Sequence, residues 1–175
     1  MQLIHVLIGL VGSASAVDLY FHHSGDCSGA SSVCSNMSPD RCCGVGRRDI
    51  YPSVAVRGIP TNWNLNCRGH FGGDCLFIRK AQNSNGANWV CLNDSTGWYS
   101  GIGYGFVNKK REPVPAGETG APQEECVKPD LAILADGAQY DIAGLDEDAY
   151  NKFLDIVEAN GVSADVPAEF DALRK

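Results

Sequence analysis

The sequence predicts a mainly β protein, a small disulfide-stapled antiparallel sandwich followed by a C-terminal β-hairpin and a helix. Three observations carry this. Short runs repeat with the two-residue period of a strand and are separated by Gly, Asn, Pro and Asp. Eight cysteines occur within 175 residues. The stretch Asn108–Cys126 then breaks the chain's character, with a tribasic run (Lys109, Lys110, Arg111) followed by Pro, Gly and Glu and no apolar periodicity.

Taken in order, residues 1–16 read as a signal peptide. An apolar run from Leu3 to Val11 leads into Ala14-Ser15-Ala16, a small-residue site that places cleavage after Ala16. The run is far shorter than the roughly 20 residues of a spanning helix, so no membrane anchor is expected. Residues 17–107 form the cysteine-rich β domain. Its strand candidates are Val17–Phe21, Ser53–Arg57, Trp63–Cys67, Asp74–Ile78, Asn88–Leu92 and Ile102–Phe106. The last sets large residues on one face and glycines on the other. Cys27–Cys43, dense in Ser, Gly, Asn and Pro, reads as loops. Six short strands with turns between them suit a sandwich or a barrel.

Residues 108–128 read as an exposed linker with a dibasic processing site at Lys110-Arg111, against the plainer reading of an uncleaved solvated run. Residues 129–175 form an acidic tail. Leu131–Leu134 and Gln139–Ile142 flank an Asp136-Gly137 turn, as in a hairpin. A helix follows, capped by Asp146, with Ala149, Phe153, Leu154 and Val157 as its apolar stripe and Gly161 at its end. A short helix around Pro167–Leu173 is a further candidate. A hairpin and one helix bury too little surface alone, so the tail is expected to pack on the first domain.

Charge divides along the same line. Val17–Arg111 carries ten Lys/Arg against six Asp, while Glu112–Lys175 carries four Lys/Arg against fifteen Asp/Glu, within a net charge of -7. Mutual docking, a masking pro-region and two separate solvated faces all fit this split. The basic side is too weak and too mixed with Asp for a nucleic-acid surface.

In an oxidising compartment Cys27, Cys34, Cys42, Cys43, Cys67, Cys75, Cys91 and Cys126 give up to four disulfides. The adjacent Cys42 and Cys43 should hold different partners. Seven of the eight precede the linker, so full pairing requires Cys126 to bridge back and tether the tail. The lack of a Cys-x-x-Cys pair argues against zinc, and neither a metal nor a cofactor is expected.

Asp18–Ser32, with an aromatic pair before Gly25 and later serines, resembles the βγ-crystallin Greek-key signature. Ser53–Trp63 together with Cys67-Arg68-Gly69-His70 is similar to small secreted cysteine-rich fungal proteins with such a core, a class that includes killer-toxin-like and effector-like proteins. The tail from Pro129 also looks like one appended to fungal secreted proteins. Calcium binding in the crystallin group uses a stretch of which Asn93–Trp98 keeps only the first half, so calcium is not expected.

Residues for catalysis are sparse. No Gly-x-Ser-x-Gly elbow occurs, and His22 and His23 are adjacent on a strand, which points them to opposite faces. Trp98 and Tyr99, in a Gly/Ser/Thr loop, are the ligand-binding candidates; Trp63 and Trp89, in alternating strands, are expected in the core. Asn93 and Asn36 head glycosylation sequons. The leading expectation is a secreted, non-catalytic glycoprotein acting on an extracellular host or competitor target, as an effector or toxin does. The alternatives are a cell-wall polysaccharide-binding module and a small glycan hydrolase with paired carboxylates.

Overall fold

A computed structural model describes residues 17–47, 49–107 and 126–175, so the signal-peptide assignment (with Ala16) and the Lys110-Arg111 site lie outside the described residues. One sheet has the order β11 (Gln139–Asp141), β10 (Leu131–Ile133), β2 (Ser31–Met37), β1 (Val17–His22), β4 (Ser53–Arg57), β7 (Trp89–Asn93). The other runs β6 (Phe77–Asn83), β5 (Leu65–Phe71), β8 (Gly101–Phe106), β3 (Cys42–Gly44), β9 (Cys126–Val127). Neighbours are antiparallel except β3 and β9, which are parallel. A single apolar core includes Leu19, Phe21, Val54 and Val56 of the first sheet, Leu65, Ile102 and Tyr104 of the second, and Phe153 and Leu154 of the tail helix. The fold is the mainly β, disulfide-stapled sandwich with a C-terminal hairpin and helix.

Strand β4 occupies the residues its alternation indicated, β1 and β8 differ by one residue at an end, and β7 is shifted by one residue. Two expected strands are displaced. Trp63 precedes β5, which starts at Leu65, and Asp74 lies in a loop before β6. Gly72, Gly73 and Asp74 have φ of 86°, 105° and 45°, left-handed values that end one strand and delay the next. The Cys27–Cys43 loop assignment also fails, because β2 lies within it and β3 starts at Cys42. Ser31 and Ser32 are fully covered, since β2 is paired on one side by β1 and on the other by β10 from the tail. Ser32 Oγ meets the Tyr51 hydroxyl at 3.1 Å, so its buried polarity is satisfied.

The tail thus extends the first sheet. Val33 O accepts from the Asp130 amide at 2.9 Å, and Asp130 Oδ1 accepts from the Ser35 amide at 2.7 Å. Helix α1 (Glu147–Glu158) is capped by Asp146, whose carboxylate accepts from Ala149 N at 2.9 Å. Its buried face is Tyr150, Phe153, Leu154 and Val157; Ala149 is only half-buried. The left-handed residue ending it is Asn160, at φ 54°, in place of Gly161. Glycine is still required at 161, since a Cβ there would lie 2.6 Å from the Ile156 side chain. A short 3-10 segment, Ala168–Leu173, sets Phe170 against Phe153 with ring centres 4.9 Å apart.

The two charged regions meet at Arg47. Its guanidinium donates to Asp155 at 2.8 Å, to Glu158 at 2.6 Å and to the Asn151 carbonyl at 3.0 Å, all on α1. Among the described residues no helix is long and apolar enough to cross a membrane.

Candidate binding surfaces and the sulfur cluster

Among the described residues, strand β6 ends its sheet and its backbone pairs only with β5. A short loop and this edge expose Leu76, Phe77 and Ile78 by 62%, 55% and 49%, an apolar run that the core does not absorb. Phe77 packs on Phe71, its cross-strand partner, at 5.6 Å, and Arg79 lies over the Phe71 ring at 4.5 Å. Gly97 lets the Asp94–Trp98 loop close onto that guanidinium, where any Cβ would overlap it. The loop is pinned by Asp94 Oδ1, which accepts from Thr96 N and Oγ1 at 2.9 and 2.7 Å, bonds that hold its carboxyl below the usual range. Lys80 Nζ donates to Asn93 O at 2.6 Å. Trp98, 53% exposed, extends the band. Arg79 and Lys80 outnumber the one acid of the band, Asp94, so its charge is net positive.

A second aromatic surface lies on the outermost strand of the other sheet. Trp89, expected in the core, is 47% exposed, because β7 is an edge strand and its alternate side chains face outward. Arg57, its register partner, lies 5.5 Å from the Trp89 ring and 5.0 Å from that of Tyr20. Tyr20 stacks on His22 at 5.6 Å, and Arg57 Nη2 donates to Cys27 O at 2.8 Å. Burial, aided by Arg57, depresses the His22 pKa to about 4, which keeps the ring neutral. Trp63 is half-buried against Phe106, at 5.0 Å.

Of the two loop candidates, Trp98 is exposed and Tyr99 is not. The Tyr99 backbone exchanges hydrogen bonds with Tyr51, and its ring fills space left by Gly69, where a Cβ would lie 2.5 Å away. Burial pushes its hydroxyl up to about 12. Tyr99 is a core residue. Both sequon asparagines, Asn36 and Asn93, are exposed; Asn93 Nδ2 donates to Gly25 O at 2.9 Å.

Three bridges form: Cys27–Cys91, Cys34–Cys43 and Cys42–Cys75. Adjacent Cys42 and Cys43 do hold different partners, one on each side of their strand. Cys43 reaches across the sandwich to β2, and Cys42 holds the Gly72–Leu76 loop against the outer face. That face explains the glycines of β8. A Cβ at Gly101 would strike the Asp74 backbone, and one at Gly105 would lie 2.5 Å from Asp40 Oδ1.

Cys67, expected in a bridge, is instead a buried thiol, its pKa pushed up to about 12 by burial. The sulfur of Cys126 lies within 4.8 Å of those of Cys42 and Cys75. β10 on β2, the α1 core face and Arg47 all hold the tail to the first domain. His70, which the sequence does not single out, is buried beside this loop, its pKa lowered to about 4 by burial and by Arg68.

A protein-family model, ARB_05566_N, described as an N-terminal domain, matches residues 18–130. No curated protein matches the chain, and no solved structure does.

Proposed function

The chain belongs to the ARB_05566_N family, and on that footing we propose that it is secreted and non-catalytic, acting outside the producing cell as an effector or toxin-like protein that binds a target polypeptide. Three disulfides suit an oxidising, extracellular compartment. The resemblance of its first strands and cysteine framework to secreted fungal toxin-like and crystallin-like proteins supports the same setting. The observation that carries the reading is the open β6 edge, with Leu76, Phe77 and Ile78 exposed beside Arg79 and Lys80. An unpaired edge offers backbone donors and acceptors to an extended segment, its apolar side chains offer contact area, and its cations favour acidic neighbours. The occupant is accordingly an extended, acidic and apolar strand of the target.

Selection of a displayed peptide library on the immobilised full chain tests this. Sequences alternating apolar and acidic residues should be enriched, and Phe77→Glu should abolish their binding. Enrichment indifferent to Phe77→Glu would remove the β6 edge from the function.

A second reading has its own observation. The Trp89 ring, open to solvent and backed by Arg57 and Tyr20, has the flat shape on which a sugar ring stacks. Retention on insoluble chitin or glucan that is lost in Trp89→Ala or Trp98→Ala would favour a cell-wall polysaccharide ligand over a polypeptide.

A further inference from the structure

Asn-Gly occurs twice in the sequence, at Asn85-Gly86 and Asn160-Gly161. An asparagine amide before glycine is open to attack by the next backbone nitrogen, because glycine carries no Cβ to shield that nitrogen. The two pairs share a left-handed asparagine, at φ 48° and 54°, and both asparagines are exposed. What surrounds the reacting atoms differs. Asn160 Oδ1 accepts from Ala30 N at 2.9 Å, Gly161 N donates to Ile156 O at 2.8 Å, and Gly161 is packed against Ile156. Amide and nucleophile are both engaged there. Asn85 and Gly86 are the central residues of the turn after β6, closed by Ala87 N to Ser84 O at 2.9 Å. Among the described residues the Asn85 side chain makes no hydrogen bond and Gly86 N donates none, while the Asn85 backbone N–H donates to Asn64 Oδ1 at 3.2 Å.

We propose that Asn85 is a site of spontaneous deamidation and isomerisation, which the fold selects over Asn160. Gly86 N attacks Asn85 Cγ; a C–N bond forms, the Cγ–Nδ2 bond breaks, and Nδ2 leaves as ammonia with the proton that Gly86 N gives up. Water then opens the succinimide at either carbonyl, leaving aspartate or isoaspartate at position 85. Nothing is oxidised or reduced, and water is the one co-reactant. Attack requires the Asn85–Gly86 peptide to turn out of its present conformation, and the hydrogen bond to Asn64 resists that motion.

The product alters the end of the open edge. Ser84 N donates to Leu65 O at 2.8 Å and Leu65 N to Ser84 Oγ at 2.9 Å, bonds that seat the close of β6 on β5. Isoaspartate routes the chain through Cγ and so adds a backbone atom one residue beyond them. Either product also adds a negative charge to the turn. The modification therefore bears on the seating of β6 whatever that edge binds.

The test ages the full chain at pH 6 and at pH 8, both folded and in denaturant with reductant, then maps amide-to-acid conversion by tandem mass spectrometry, with isoaspartate methyltransferase labelling. Base promotes loss of the Gly86 proton, so conversion at Asn85 should be faster at pH 8. In the folded chain Asn160 should lag by about tenfold or more, since its two hydrogen bonds must open first. In denaturant the two should convert at similar rates. Asn64→Ala should speed conversion at Asn85 and leave Asn160 unchanged, and Asn85→Gln should abolish the signal at that position. A folded chain in which Asn160 keeps pace with Asn85 overturns the proposal. So does one in which Asn85 stays an amide at pH 8 while it converts in denaturant, or a lag of Asn160 that persists in denaturant, which would assign the difference to local sequence.

Discussion

The sandwich treats two of its strand edges in opposite ways. The edge that β2 would present is closed twice, first by the hairpin β10–β11 and then by the C-terminus, where Tyr140 bridges Arg174, Lys175 N donates to Gln139 O at 2.9 Å and Lys175 Nζ meets Asp141 at 3.2 Å. The edge that β6 presents carries no such cover among the described residues, although it is the more apolar of the two. Exposed strand edges invite association, and sequences ordinarily blunt them. A chain that recruits its tail to seal a serine-bearing strand, and leaves Phe77 and Ile78 in water, marks the second edge as a working surface.

The largest expected effect comes from the sealed side. Phe153 is fully buried between Tyr140 and Phe170, at 5.4 and 4.9 Å, and joins helix, hairpin and 3-10 segment. Phe153→Ala should cost about 3–5 kcal/mol, read as a lowered urea midpoint with m unchanged. A cost below about 1 kcal/mol would mean that the tail is an appendage and the comparison of edges has no basis.

Acid addresses both sheets. His22 in one and His70 in the other are buried, and burial lowers each pKa from the ordinary 6.5 to about 4. Each is neutral when folded, so the unfolded chain binds more protons as pH falls below about 6.5. Stability is then lost progressively down to about pH 4 and levels off below that, by on the order of 3 kcal/mol for each residue. His22→Gln and His70→Gln should each flatten this decline between pH 6.5 and 4 in thermal melts. If only one variant does, acid sensitivity belongs to one sheet.

Much of the fold is legible in the sequence where the cause is local. Ser53–Arg57 alternates because one side faces the core, and Asp146 caps α1 through a carboxylate that accepts from the amide three residues on. What stays hidden depends on distant chain. Ser31 and Ser32 look like loop residues until β10 arrives from the tail to cover them. Trp89 alternates as a core residue does, but the sheet ends at its strand, and an edge cannot be read from the strand itself. Tyr99 sits in loop-like sequence, yet Gly69 on another strand opens the space its ring fills. The glycine face of β8 is visible as a pattern; its use, admitting the loop that Cys75 ties down, is not.

A smaller effect is expected where the two charged regions meet. Arg47→Ala removes donors to Asp155, Glu158 and Asn151 O, in a seam where Arg47 and Glu158 are about three-quarters and two-thirds covered while Asp155 stays in water. A loss of about 1–2 kcal/mol follows, weaker at high salt, because part of the interaction is screened. An Arg47→Ala cost unaffected by salt would assign the seam to packing rather than charge.

The smallest change in stability belongs to the open edge, and it is the one that separates a working surface from an unfinished core. Phe77→Ala removes a ring that is more than half in water and touches Phe71 on one side, so it should shift the urea midpoint by less than about 0.5 kcal/mol. The same substitution should remove most binding of an extended apolar and acidic peptide, measured by titration calorimetry, because in that complex the ring is buried on both sides. Unequal consequences are what an interface residue gives; equal ones are what a core residue gives. A Phe77→Ala protein that loses about 2 kcal/mol or more of stability, the scale of a core truncation, would show that β6 is covered in solution and that the two edges compared are both sealed.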